Sequence, residues 1–333
     1  MLFPGKMKDF LKLIRWQNLL IVALTMILMR YAVIESLLAG VTVTLLDGTG
    51  AHVPLTLQCP LHCFILLIAA TLFITAGGYV INDYFDIKTD LINRGKVIVG
   101  TKIPRRKAMM WHNIFNAAGV AAGIYISVKA GYLWMGLVFL LVSGLLYFYS
   151  ASYKRQFLIG NIVVALLTAL VPLLVVIYEW PFLYRYYSAN AIGVPPLSFL
   201  FYWTAGFSLF AFITTLTREI IKDIEDYEGD RAYGMNTLPV IMGIKSAKIV
   251  VTLLLSSTIA LLYLIWAVYI SDRITLLYLS MLVALPLLYV IYLIALSKEK
   301  KQVHNASTIM KAVMLTGILY SLFLEAIITG NHF

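Results

Sequence analysis

Long apolar runs broken by short polar clusters dominate the chain. Nine of them approach the roughly 20 residues that a helix needs to cross a bilayer core: 10–36, 62–82, 108–130, 132–150, 157–178, 198–218, 247–270, 274–297 and 309–330. The runs are continuous rather than alternating, which predicts α-helices and excludes a transmembrane barrel. The predicted fold is therefore all-α, a polytopic transmembrane bundle in a single membrane-embedded domain over 1–333. The first run is longer than a signal-peptide core and no small-residue cleavage site follows it, so it is expected to be the first span.

Composition agrees with lipid as the main solvent: 61% of residues are hydrophobic and 13% charged, more apolar than a soluble core requires. The net charge of +10 would suit nucleic acid, but the basic residues fall in alternate loops. Lys6, Lys8, Lys12 and Arg15 share one side with Lys88, Arg94, Lys96, Lys102, Arg105, Arg106 and Lys107. The same side receives Lys154, Arg155, Lys222, Arg231, Lys245, Lys248, Lys298, Lys300 and Lys301, whereas the opposite loops hold Lys129, Arg185 and Arg273. The positive-inside rule then places the N-terminus in the cytoplasm, and no nucleic-acid partner is implied. Cys59 and Cys63 are the only cysteines. Two cysteines four apart could form a disulfide or, with His62, a metal site, but they are expected to be ordinary thiols.

Most of the informative acid lies in two loops. One reads Asn82-Asp83-Tyr84-Phe85-Asp86-Ile87-Lys88-Thr89-Asp90, the other Lys222-Asp223-Ile224-Glu225-Asp226-Tyr227-Glu228-Gly229-Asp230. Asp83, Asp86 and Asp90 map onto Asp223, Asp226 and Asp230 by one constant offset of 140 positions. That register predicts an internal duplication, with pseudo-repeats at 10–150 and 157–297 and an extra span at 309–330. Both loops follow a span that runs inward, so they are expected to face each other as a cytoplasmic cap.

On a helix, positions three and seven apart lie within about 60° of one another, so each triplet would form one carboxylate stripe. Such stripes repel unless a cation compensates them. Their hard oxygens suit Mg²⁺, which keeps some waters and completes its shell with substrate phosphate. The spacing excludes an EF-hand, and there is no P-loop, no dinucleotide fingerprint and no H-E-x-x-H.

With N-D-x-x-D-x-x-x-D after the second span and D-x-x-D-x-x-x-D after the sixth, the chain resembles the UbiA-type intramembrane prenyltransferases over nearly its whole length. The resemblance implies a nine-span bundle, a membrane pocket for an isoprenoid diphosphate and a magnesium site under the two loops. It also implies an integral enzyme of a bacterial or archaeal cell membrane, acting in lipid biosynthesis on a lipophilic acceptor. By the resemblance Asn82, Asp86, Asp223 and Asp226 are candidate metal ligands, with Asp83, Asp90 and Asp230 as ligands or their partners. Asp83, Asp86, Asp223 and Asp226, with Lys154, are the candidate catalytic residues. Arg94, Lys154, Arg218 and Lys222 are candidates to bind the diphosphate, and Tyr149 and Tyr153 could face an allylic cation with their rings. After Asn93-Arg94 the chain has Gly95 where many relatives have proline.

The stretch Arg218 to Arg231, continuing to Gly234 and Leu238-Pro239, looks like the branch that prenylates oxygen, with glycerol-phosphate ethers and chlorophyll among its products. A geranylgeranyl donor and a geranylgeranylglyceryl phosphate-like acceptor are the resulting expectation, and Arg105, Arg106, Lys107 and Lys154 offer charge for an acceptor phosphate. The alternatives are an aromatic acceptor of quinone biosynthesis (4-hydroxybenzoate, homogentisate or a naphthoate) and, more distantly, a secondary transporter. Carriers bury their site near the midplane, where this chain offers mainly Arg30, Glu35 and Glu325.

Overall fold

The computed structural model describes residues 4–46, 52–95, 97–193 and 196–329. Among them the apolar runs are long helices gathered in one bundle: α1 (Trp16–Ala39), α2 (Leu61–Phe85), α3 (Arg105–Ala130), α4 (Leu133–Ala151), α5 (Ile159–Asn190), α6 (Ser198–Glu225), α7 (Ile244–Ile270), α8 (Arg273–Leu296) and α9 (Lys300–Glu325). Eight of these are long and apolar enough to cross a membrane, so the chain is a multi-pass membrane protein. The expected span at 108–130 is the exception. It is a helix of full length, α3, but His112, Asn113, Asn116, Ser127 and Lys129 lower its apolar character.

Two apolar cores hold the bundle. Met26, Leu67, Ile126, Phe139 and Val176 belong to the first, joining α1 to α5, and Ile220, Val251, Leu287 and Met310 to the second, joining α6 to α9. Lipid removes most of the hydrophobic drive between helices, so close packing must supply it. Gly119 of α3 shows how: a Cβ there would sit 2.9 Å from the Ala70 carbonyl oxygen and 2.6 Å from the Ile74 side chain on α2.

Four boundaries differ from the sequence pattern by six residues or more, one of them the end of the sixth span, which runs on from 218 to Glu225 and so carries Asp223 on the helix. The first span begins at Trp16, because Arg15 adopts a left-handed backbone (φ 50°) and ends the preceding helix Pro4–Leu13. The fifth runs on past 178 to Asn190, through Pro181 and Glu179. Glu179 is tolerated there because it accepts the backbone N–H groups of Gln58 (2.6 Å) and Cys59 (2.7 Å) and lies 3.6 Å from the Arg30 guanidinium. The ninth begins at Lys300, nine residues early.

At the end of the bundle where α1 and α5 finish, a small sheet forms that periodicity did not predict. Its strands β1 (Thr42–Leu45), β2 (His52–Pro54) and β3 (Ala191–Ile192) lie in the order β2-β1-β3, antiparallel, with Val43 opposite Val53 and Thr44 opposite Ile192. Beside it Cys59 and Cys63 are buried free thiols. Burial and then Glu179 push the Cys59 thiol up to about 12, which makes it unreactive.

Candidate active site

The two acidic segments fold alike. α2 ends at Phe85 and α6 at Glu225, and the next residue turns the chain in each case: Asp86 at φ −87°, ψ 3° and Asp226 at φ −94°, ψ 7°. A short helix follows both, Ile87–Arg94 and Tyr227–Ala232. The backbone bonds repeat as well: Asp86 N–H to Asn82 O (3.0 Å) matches Asp226 N–H to Lys222 O (2.8 Å), and Asp90 to Asp86 (2.8 Å) matches Asp230 to Asp226 (3.0 Å). The single straight stripe expected for each triplet is thus bent at its middle carboxylate. Beyond the bend the two short helices meet. The Gly229 N–H donates to Asn93 Oδ1 at 3.2 Å. A Cβ on Gly229 would lie 2.4 Å from that oxygen, so only glycine permits the approach.

The acids are paired with groups from other elements. Asp86, 4% exposed, accepts from Lys154 Nζ and from Asn82 Nδ2 at 2.8 Å. Asp83 meets the Arg15 guanidinium at 3.0 Å and Asp223 accepts from Asn161 Nδ2 at 2.8 Å. Glu219 holds two cations, Arg218 at 3.0 Å and Lys222 at 2.8 Å. Burial alone would lower the Lys154 ammonium, but Asp86 and then Asp90 outweigh it and raise its pKa. Burial, then the neighbouring Asp226, push the Asp230 carboxyl up to about 6, although Lys154 pulls the other way. Lys154 therefore sits between the two acidic segments, within reach of charges from both.

Do these residues suit a metal? Among the described residues no three acidic, His or Cys side chains converge on one point, so the seven-residue ligand set is not assembled in advance. The donors are nevertheless all hard oxygens, and Asn82 Oδ1 is buried with no hydrogen-bond partner. A buried orphan oxygen beside a carboxylate is costly unless something is to bind it. The set fits magnesium whose coordination is completed by phosphate.

Other expected residues are placed as follows. Arg218 and Lys222 lie on Glu219 rather than on an aspartate, and Arg218 Nε is buried without a partner. Tyr149 is within electrostatic range of Glu219, Asp86 and Asp223, whereas the Tyr153 ring packs on Phe148 at 6.2 Å. The Arg94 side chain lies outside the described residues. Arg105 does not join the acids; its guanidinium lies over the Tyr84 ring at 4.9 Å. Four residues that sequence reasoning left out belong here: Arg15, Asn161, Glu219 and Lys311 of α9, the last within range of Arg218, Lys222 and Arg15. Asn161, Glu219 and Lys311 share one signal, a polar or ionisable residue in or beside an apolar run, which is costly in lipid unless it serves a site. Arg15 was concealed among the basic residues that set orientation.

A profile described as the UbiA prenyltransferase family matches residues 37–322. The chain is 33% identical over 246 residues to the digeranylgeranylglyceryl phosphate synthase of Thermococcus kodakarensis, covering 73% of this chain and 79% of that protein. In fold it is similar to a solved structure concerned with digeranylgeranylglyceryl phosphate synthase in membranes, with a TM-score of 0.59 at 24% identity over 96% of this chain and 99% of that one. It is also similar to a UbiA homolog from Archaeoglobus fulgidus bound to DMAPP and Mg²⁺, with a TM-score of 0.52 at 19% identity over 95% and 99%.

Proposed function

The chain belongs to the UbiA prenyltransferase family, and from that premise we propose that it transfers a geranylgeranyl group from its diphosphate to the free hydroxyl of a geranylgeranylglyceryl phosphate lipid. The observation that carries the acceptor is the surplus of positive charge behind the acidic segments. Arg218, Lys222 and Lys311 share one carboxylate, Glu219, and Arg15 and Lys154 stand close by. One diphosphate with its metal does not use so much charge; a second phosphate, on the acceptor, does. Relatives named digeranylgeranylglyceryl phosphate synthase, about a third identical, support the same choice.

In this reading Asn82, Asp83, Asp86, Asp90, Asp223, Asp226 and Asp230 are the residues that would hold magnesium. Magnesium supplies charge stabilisation for the departing diphosphate. Lys154 leaves Asp86 for a diphosphate oxygen, so its charge counts where negative charge develops. Arg218, Lys222 and Lys311 hold the acceptor phosphate and fix its hydroxyl toward the allylic carbon. Tyr149 faces the developing cation, and the enclosed site keeps water from that carbon. The donor C–O bond breaks with its electrons going to diphosphate, and the acceptor oxygen forms the ether as its proton passes to that departing diphosphate.

The matched turns at Asp86 and Asp226 support an internal duplication and a cap made of the two short helices. Lys and Arg distribution supports a cytoplasmic N-terminus and cap, with α3 as a ninth span. The test is mass spectrometry of the lipids formed when membranes containing the protein receive geranylgeranyl diphosphate and a panel of acceptors. The expected product is the diether phosphate. Prenylated 4-hydroxybenzoate or naphthoate without ether lipid would overturn the acceptor.

A further inference from the structure

We propose that an outward-facing groove along α3 is an entry site where the phosphate-bearing lipid acceptor docks before its phosphate reaches Arg218, Lys222 and Lys311, with Arg105 and Arg106 receiving the phosphate first and the groove below them the prenyl chain. The proposal rests on the acceptor reading above but concerns a place outside the acid cluster. A cavity of about 630 Å³ at the start of α3 is lined by Tyr84, Arg105, Arg106, Met109, Met110, Asn113 and Ile114. A second, of about 360 Å³, is lined further along by Asn116, Ala117, Val120, Ala121 and Ile124, with Leu140 and Ser143 of α4.

At about 100° per residue, the α3 residues of both cavities fall on the same half of the helix, so the cavities lie end to end on one face. From Arg105 to Ile124 that face runs roughly 28 Å at 1.5 Å per residue, the scale of one extended C20 chain with its headgroup. Met110, Ile114, Ile124 and Leu140 are each more than 40% exposed, which on a membrane protein makes this a lipid-facing surface. The deeper polar groups are already satisfied, Ser143 Oγ donating to Asn116 Oδ1 at 2.6 Å, so the floor offers apolar contact.

Charge is confined to one end. Among the described residues neither Arg105 nor Arg106 has an ion-pair partner, and the groove contains no acid to repel an anion. Two free guanidiniums above an apolar furrow complement a phosphate on a single apolar chain. The isoprenoid diphosphate is a poorer occupant, because its metal-binding carboxylates are absent here. The head of the groove also adjoins the reaction site: Arg105 rests on Tyr84, the residue after Asp83.

The experiment measures acceptor and donor KM for the full-length protein in lipid nanodiscs, together with retention of geranylgeranylglyceryl phosphate by native mass spectrometry. The R105Q/R106Q double variant should raise acceptor KM about tenfold or more and lose one retained lipid per protein, with kcat and donor KM within about twofold of wild type. Filling the exposed floor with Ala117→Leu and Ala121→Leu should do the same. Lys107→Gln removes a charge from the same turn but about 110° from the centre of the groove face, and should change neither measurement. Equal effects from Lys107→Gln, or an unchanged acceptor KM in the double variant, would overturn the docking site. If the wild type makes no ether lipid, the acceptor reading falls. Retention then decides the groove: loss in the double variant and in the filled floor but not in Lys107→Gln supports it, and any other pattern sinks it.

Discussion

Replacing Lys154 by methionine should have opposite effects on metal binding and on turnover. In the structure Lys154 Nζ lies on Asp86 Oδ2, with 30% of the lysine side chain and 6% of the aspartate side chain exposed. Stripping a partner from a fully buried pair costs about 3–5 kcal/mol. Lysine here is part-exposed and Asn82 still donates to Asp86, so the screened value is nearer ~1–2 kcal/mol. In the proposed site Lys154 would compete with magnesium for that carboxylate. Removing it should therefore tighten Mg²⁺ binding in the absence of substrate about tenfold, at about 1.4 kcal/mol per decade. The same change removes a cation from the leaving diphosphate and should lower kcat/KM by about a hundred- to a thousandfold. Isothermal titration of Mg²⁺ into the substrate-free protein, with steady-state prenyl transfer alongside, measures both effects. Weaker Mg²⁺ binding in the variant, or turnover within about twofold of wild type, would refute the exchange of Lys154 between Asp86 and diphosphate.

Chelation should abolish transfer and Mg²⁺ should restore it, as read by product formation before and after dialysis against chelator. Asp86→Ala and Asp223→Ala should each cost at least about a hundredfold in rate, whereas Glu228→Ala, on an exposed side chain of the second short helix, should cost little. Equal losses at the three positions would contradict the site. Gly229→Ala should separate the two short helices, since its Cβ would lie 2.4–2.6 Å from Asn93. A loss of about 1–2 kcal/mol in stability is expected from such overpacking, with a larger loss in turnover, and thermal unfolding with parallel activity measurements separates the two.

The long apolar runs and the offset of 140 between the aspartates made the helices and the acidic segments legible before any coordinates. What escaped notice depends on partners distant in sequence. The apolar run of the fifth span ends at 178, one residue before Glu179; a lone carboxylate there is costly in lipid, yet Arg30 and two backbone N–H groups from the Gln58–Cys59 loop meet it inside the bundle. Arg15 looked like one of several topology-setting cations until its guanidinium was seen on Asp83. The bends at Asp86 and Asp226 were hidden for another reason: helical periodicity constrains faces, not the single residue at which a helix turns. Arg105 reads in the sequence as charge for an acceptor phosphate near the acidic loops, and nothing in the pattern tells that its guanidinium lies over Tyr84.

These pairings bear on how a substrate-free site survives in a bundle. Carboxylates gathered at a helix mouth would repel one another and destabilise the fold. Here Asp86 has Lys154 and Asn82, Asp83 has Arg15, and Asp223 has Asn161, each donor arriving from a different part of the chain or from the preceding turn. Each cation that neutralises an acid in the empty site is also one that a diphosphate would draw toward itself. Metal alone would take Asp86 and strand Lys154 as an unpaired cation; diphosphate alone would meet carboxylates. In the proposed site Asp86 would be left free to hold metal as Lys154 turns to a phosphate oxygen, so both groups would exchange one partner for another. The desolvation of these groups is already met in the folded chain, and the interactions gained on binding can be concentrated on the charge that develops as the prenyl–oxygen bond breaks.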